Sequence, residues 1–256
     1  MLCPWGTNSN TMKLEVAYIA LESEFDRIAF MESWLSKSGL NYRRFSGVLV
    51  PDPGSEKTYD QQRRLSRFGY DMTPSEIGCF LAHRECWRHC ATSKESLLIL
   101  ESDVKPHESA NIDDLWSGIK RCCKPCDIVR LHGIFEHNEL LTRPLKELGG
   151  GYTLAQCIGD PMGAGAYIVS PLASRELLKS STAFFQPVDV FLGSTWKHRL
   201  SFRTVKPYPF EAIDFGSVIG ERTRPRQNWI QRLKIELRRF GDDLRRVLYI
   251  PIDFLR

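Results

Sequence analysis

Glu101-Ser102-Asp103 is the tripeptide in this chain best placed to do chemistry. It ends an apolar run, Leu97-Leu98-Ile99-Leu100, and Pro106 follows soon after. A short continuous run of this kind suits a strand buried on both faces, as in the parallel sheet of an α/β domain. Carboxylates are poorly tolerated inside such a sheet unless paired or bound to a metal. They can sit at the strand's C-terminal edge, where open α/β sheets leave a crevice for ligands. In an extended backbone alternate side chains share a side, so Glu101 and Asp103 would face one ligand while Ser102 faces away. Hard cations take oxygen ligands, and Mg²⁺ typically uses one or two carboxylates plus substrate phosphates. Mn²⁺ has similar preferences. A cation there would neutralise a diphosphate and stabilise its departure. The plain alternative is a solvated turn.

Other residues carry comparable chemistry. Asp189, in "PVDVFLG", is a lone carboxylate among apolar neighbours. Such surroundings raise a carboxyl pKa and suit a general base, although Asp also favours a helix N-cap. Arg27 falls one turn into the first expected helix, where it can pair with a phosphate or simply be solvated. Glu76 and His83 share a helical face two turns apart. They could orient donor or acceptor hydroxyls, or serve as a helix cap and a core histidine. Gly163 and Gly165, in "GAGAY", would let a sugar or diphosphate approach the backbone. Tight packing of strand on helix is the other reading.

The elements that must position these residues follow from pattern. "KLEVAYIAL" reads as a first strand. Ser23 resembles an N-cap, and Ile28, Met31 and Leu35 follow at helical spacing with Gly39 as a stop. "NYRRFSGVLV" reads as a second strand, and the strand–helix–strand order predicts a doubly wound α/β domain. Residues 51–75 are polar, with three prolines and two glycines, and predict either a mobile segment near the site or a surface insertion. A helix capped by Thr73 or Ser75 leads into the 97–100 strand. Further on, "NIDDLWSGIKRCC" and "PLASRELLKS" read as helices, and "DIVRLHG", "GGGYTLAQCIG" and "PMGAGAYIVS" as strands.

With 256 residues, 42% hydrophobic and 26% charged, the composition is that of a globular chain, long enough for one large domain or a domain plus an appendage. No apolar stretch reaches the roughly 18 residues of a membrane span. "MLCPWGTNSNTMK" lacks the apolar core of a secretory signal, so the eight cysteines are expected to be reduced and structural. Cys79, Cys86 and Cys90 with His83 and His89 could hold a metal together, or form a core stripe of small hydrophobes. "CCKPC" holds one CxxC without a second pair, a weak zinc or redox signal. Charge is concentrated in the tail: Arg222 to Arg246 holds nine Lys/Arg against three Asp/Glu, in a chain whose net charge is only +4. There Trp229, Leu233, Leu237, Phe240, Leu244 and Val247 recur at helical steps among arginines. A basic amphipathic helix of this kind suits an anionic membrane surface, or packs on its own domain with a solvated basic face. No nucleic-acid module accompanies it, so nucleic acid is not an expected partner.

Several segments match one family in order: "IALESEFDRIAFM", "MTPSEIGCFLAHRECW", "LLILESDV", "GAGAYIVSPLASRELL", "PVDVFL" and "VKPYPFEAIDFGSVIG". Together they resemble glycosyltransferase family 25, the lipopolysaccharide and lipooligosaccharide glycosyltransferases, related to collagen galactosyltransferases. The resemblance implies an α/β, GT-A-like fold with a Rossmann-type, mostly parallel central sheet flanked by helices, over residues 13–220. Residues 221–256 would form a basic C-terminal helical appendage. It further implies inverting transfer of a hexose, galactose or glucose, from a UDP-sugar to a lipooligosaccharide or other glycolipid acceptor, with Mn²⁺ or Mg²⁺. On that basis Glu101 and Asp103 would hold the metal and Asp189 would be the catalytic base. Ala20, Leu21, Arg27, Glu76, His83 and Ser102 would serve the nucleotide donor, and Gly163 and Gly165 the sugar or acceptor. The expected location is cytoplasmic, at the inner face of the membrane. Ser102 replaces the middle Asp of the family's acidic triplet, and Ala82 replaces the Ser before His83. Two rivals stay in play: a metal-dependent phosphoryl or nucleotidyl transferase, which could use the same acid–x–acid site, and a catalytically degenerate membrane-attached scaffold, which the Ser102 departure makes plausible.

Overall fold

The computed structural model describes residues 14–108, 110–122, 127–133, 142–157 and 162–213, with isolated positions between 229 and 248. Their centre is an eight-stranded sheet in the order β2-β1-β3-β8-β5-β9-β7-β6. The strands are β1 (Leu14–Ala20), β2 (Asn41–Ser46), β3 (Ser96–Glu101), β5 (Asp127–Arg130), β6 (Thr142–Gly149), β7 (Tyr152–Cys157), β8 (Ala166–Val169) and β9 (Ser201–Lys206). β1 pairs in parallel with β2 and β3, and β5 with β9. β8 and β7 run against their neighbours, so the other six strands point one way. The sheet is therefore mixed but mostly parallel. A small second sheet joins β4 (Val104–Pro106) to β10 (Phe210–Ala212), antiparallel.

β3 illustrates why the apolar run is continuous. Leu97 and Ile99 enter one core cluster, and Leu98 and Leu100 enter the other, on the opposite face. Both faces are covered, so neither set of alternate positions can be polar. The first face lies under α3 (Pro74–Thr92), α5 (Pro171–Ser180) and α6 (Val188–Gly193), through Phe80, Trp87, Leu177 and Phe191. Phe80 stacks on Phe184 with centroids 3.9 Å apart. The second face lies under α1 (Phe25–Leu35) and α4 (Ile112–Cys122), through Met31, Leu35, Leu115 and Ile119. This is a three-layer α/β arrangement.

Several local expectations need correction. Ser23 does not cap α1; the N-cap is Glu24, whose carboxylate instead accepts from the Leu21 backbone N–H at 2.8 Å. α1 ends at Leu35, and Gly39, with φ +69°, lies beyond it. Residues 51–75 are folded: a 3₁₀ turn at Pro53–Ser55 and α2 (Gln61–Phe68), capped by the Asp60 side chain. Tyr59 bridges to Phe184 and anchors the segment on the core. β6 and β10 were not anticipated as strands, and the short α7 (Thr195–His198) follows α6. The segment 123–126, which contains most of "CCKPC", and nearly all of the basic tail lie outside the described residues.

Candidate active site

The C-terminal ends of β1, β2, β3 and β5 open onto one cleft of about 980 Å³. Residues from each of these strand ends line it, with the first turns of α3 and α6 on the same wall. This is the crevice that an open α/β sheet provides at its strand ends.

Glu101 is the last residue of β3, and the chain turns immediately at Ser102-Asp103. The expected strand-like alternation therefore stops at Glu101, and Ser102, though buried, lines the cleft with both acids instead of facing away. The Asp103 carbonyl accepts from Ile213 N–H at 2.7 Å, which ties the turn to the end of β10. Arg27 projects from the first turn of α1, and its Nη1 lies 3.6 Å from Asp103 Oδ2 and 3.6 Å from Glu24. Ala20 and Leu21, at the end of β1, complete this side.

The two acids differ electrically. Burial and the Glu101 charge push the Asp103 carboxyl up to about 6, against the pull of Arg27. Burial also pushes on Glu101, but the hydrogen bond and charge of His83, helped by His132, bring it below its ordinary value. His83 Nε2 lies 3.4 Å from Glu101 Oε1, and its Nδ1 is 2.7 Å from Tyr167 Oη, which also accepts from Trp87 Nε1 at 3.0 Å. His83 is fully buried, so one edge of its ring belongs to the core and the other to the cleft. Glu76 lines the same wall, but its carboxylate accepts from Thr73 N–H at 2.8 Å, in a reciprocal capping box that starts α3.

Asp189 lies in the first turn of α6, after the N-cap Pro187, so it is not itself the cap. Its Oδ1 accepts from Val190 N–H at 2.8 Å. Glu101, Asp189 and Asp103 all act on the Cys79 thiol, which burial and these charges push well up. The three acids expected to matter thus converge, from two separate segments, the end of β3 and the start of α6. Gly163 adopts φ +101° on the cleft wall, where a side chain would be strained. Gly165 is small for another reason than access: a Cβ there would stand 2.6 Å from His132 Nδ1.

His132 was not anticipated. It follows β5 as Glu101 ends β3, is buried, and its Nδ1 has no hydrogen-bond partner among the described residues. Burial lowers its pKa, the Glu101 charge opposing and the Arg130 charge assisting. "LHG" at a strand end was the available signal. Of the expected cysteine–histidine group only Cys79 and His83 approach a common point, joined by Glu101, with their donor atoms within 4.8 Å of one another. Cys86 and Cys90 are buried in the core, and His89 meets Glu15 at 2.7 Å. Two carboxylates on one cleft wall, one of them raised by burial and by the charge of the other, have the oxygen-donor chemistry that fits a divalent cation.

The family model for glycosyltransferase family 25, described as lipopolysaccharide biosynthesis proteins, matches residues 14–192. The chain belongs to glycosyltransferase family 25. The match spans β1 through α6 and so includes Arg27, Glu101, Asp103 and Asp189. A comparison with curated protein sequences finds no match. Among solved structures, the chain is similar to a mutant Drosophila β-1,4-galactosyltransferase 7 in complex with manganese, UDP-galactose and xylobiose. Identity is 9%, coverage 87% of this chain and 79% of the other, and the TM-score 0.40. Family membership makes the chain a glycosyltransferase and the cleft its candidate active site.

Proposed function

We propose that this family 25 enzyme transfers a hexose, galactose or glucose, from a UDP-sugar to a lipooligosaccharide acceptor, with inversion at the anomeric carbon. The observation that carries the proposal is the meeting of Glu101, Asp103 and Asp189 in one cleft, with Arg27 beside Asp103. Glu101 and Asp103 would hold Mn²⁺ or Mg²⁺, which when bound neutralises the donor's diphosphate. Arg27 contributes a further positive charge on the diphosphate side. Ala20, Leu21 and Ser102 line the nucleotide side. His83 orients Glu101, and Glu76 acts through the cap that fixes the start of α3.

The acceptor hydroxyl attacks C1 of the sugar as the bond from C1 to the UDP oxygen breaks. Asp189 takes the hydroxyl proton, and UDP leaves with the bonding electron pair. Gly163, at positive φ on the cleft wall, would face the sugar, whereas Gly165 makes room for His132.

We place the enzyme at the cytoplasmic membrane face, with residues 221–256 as the anchoring appendage. What supports this is the basic tail, whose Trp229, Leu237 and Phe240 are exposed. Among the described residues no helix is long and apolar enough to cross a membrane.

The decisive experiment is a donor screen that measures UDP release with deacylated glycolipid acceptors, in Mn²⁺ and in chelator. Mass spectrometry of the products should show the acceptor increased by one hexose. A nucleotide retained on the product would mean nucleotidyl transfer instead. No UDP binding by calorimetry, with or without Mn²⁺, would point to a scaffold.

A further inference from the structure

Cys79 and His83 are one helical turn apart on α3 and face the end of β3. The Cys79 Sγ lies 3.9 Å from Glu101 Oε1, and His83 Nε2 lies 3.4 Å from the same oxygen. All three residues line the cleft, and the three donor atoms fall within 4.8 Å of one another. Zinc bonds of about 2.0–2.1 Å to nitrogen or oxygen and about 2.3 Å to sulfur give tetrahedral edges of about 3.3–3.6 Å. The two observed separations from Glu101 therefore need only a few tenths of an ångström of adjustment.

We propose that Cys79, His83 and Glu101 form a three-ligand site for a thiophilic divalent ion, zinc in the first instance, with its fourth position open to the cleft. The site deepens the transferase reading and rests on it in one respect, that Glu101 is a metal ligand there too. It differs in ligand chemistry, because a thiolate and an imidazole select zinc or cobalt over magnesium. Three protein ligands with one open position are the pattern of catalytic zinc sites, whereas structural sites are closed by four. Without an ion, the thiol S–H and the imidazole N–H point at the carboxylate oxygen. Binding releases the thiol proton to solvent and leaves the His83 Nε2 lone pair on the metal. The imidazole proton then resides on Nδ1, and Nδ1–H donates a hydrogen bond to Tyr167 Oη, 2.7 Å away, whose own O–H rotates away from Nδ1 while Oη still accepts from Trp87 Nε1. Metal-bound histidines are held in this way through the other ring nitrogen. Asp103 and Asp189 line the same cleft, and their negative charge favours a cation there.

The test is Co²⁺ titration of the full chain, with absorption read in the near ultraviolet. A thiolate-to-cobalt charge-transfer band at one equivalent is expected. Cys79→Ser should abolish it, His83→Gln should weaken Co²⁺ binding at least tenfold, and Tyr167→Phe should do so by about 10–100-fold. Asp103→Ala should retain the band. Circular dichroism on each variant excludes loss of fold, and His83→Gln decides the matter if Cys79→Ser does not fold. The chain has eight cysteines, so a band undiminished in Cys79→Ser would assign the ion to other thiols and overturn the proposal, as would no band at all. UDP binding in Mg²⁺, measured in parallel, separates the two readings. An absent band with intact UDP binding overturns only the zinc site, and an intact band without UDP binding overturns the transferase reading instead.

Discussion

The two wings of the central sheet do different work. The β2-β1-β3 wing is all parallel, so each strand must be followed by a crossover before the next can pair. Every crossover leaves a loop or a helix start at the same edge, and Arg27, Val48, Cys79, Glu101 and Asp103 reach the cleft from there. The β6–β7 hairpin needs no crossover, and turns through Gly149, Gly150 and Gly151, all at positive φ. From the hairpin's two strands only Tyr152 reaches the cleft. β6 is mostly exposed, carries Pro144 and Lys146, and shows two register shifts, the devices by which an edge strand avoids pairing with another chain. Chemistry thus gathers where topology forces chain reversals at strand ends, and the hairpin closes the sheet.

That contrast is most severely tested at the cleft. Asp189→Asn should lower kcat by about 10²–10⁴-fold, the usual contribution of a general base, while UDP binding by calorimetry stays near wild type. Equal loss of UDP affinity would reassign Asp189 from base to donor binding. Behind the same wall, Phe80→Ala removes a ring that is fully buried and stacked on Phe184. It should cost about 3–5 kcal/mol of stability in denaturant unfolding. A cost under about 1 kcal/mol would mean that the α3–sheet core is loosely packed there.

The contrast also explains what could be read from sequence. β3 was legible because burial on both faces leaves no polar position between Leu97 and Leu100. Glu101 and Asp103 were legible because their position beyond that run marks a strand end. β6 was not, because an exposed edge strand lacks apolar alternation. α2 was hidden for a related reason: its one buried residue is Arg64, packed over Phe68 and Tyr70 at 4.2 and 4.6 Å. An arginine used as packing surface does not register as an apolar position. The part of Tyr167 was out of reach, since its bond to His83 spans 84 residues and depends on β8 lying beside β3. His132 depends likewise on the smallness of Gly165 across the sheet.

Between the wings, the acidic pair offers a smaller effect with a definite sign. In chelator, Asp103 titrates at about 6 in the folded protein, above its ordinary value of 3.8. Its neutral form is therefore favoured by folding, and the stability it contributes is fully present below about pH 4 and lost as pH rises through about 6. Glu101 has the opposite sign, because its folded pKa is lowered. Melting temperatures in chelator should therefore fall across that window in the wild type relative to Asp103→Asn. A divalent cation should reduce the difference. An identical profile for the two proteins would mean that neither burial nor the Glu101 charge raises Asp103.

The smallest effect is expected on the other wing. Glu147 on β6 accepts from Thr153 Oγ1 at 2.9 Å across the exposed face of the hairpin. The bond competes with water at both ends, so removing it leaves no buried group unsatisfied. Glu147→Ala should change stability by no more than about 0.5 kcal/mol and leave turnover at the wild-type level. A measurable loss of transfer would show that the hairpin communicates with the cleft through Tyr152, and the division between the wings would have to be redrawn.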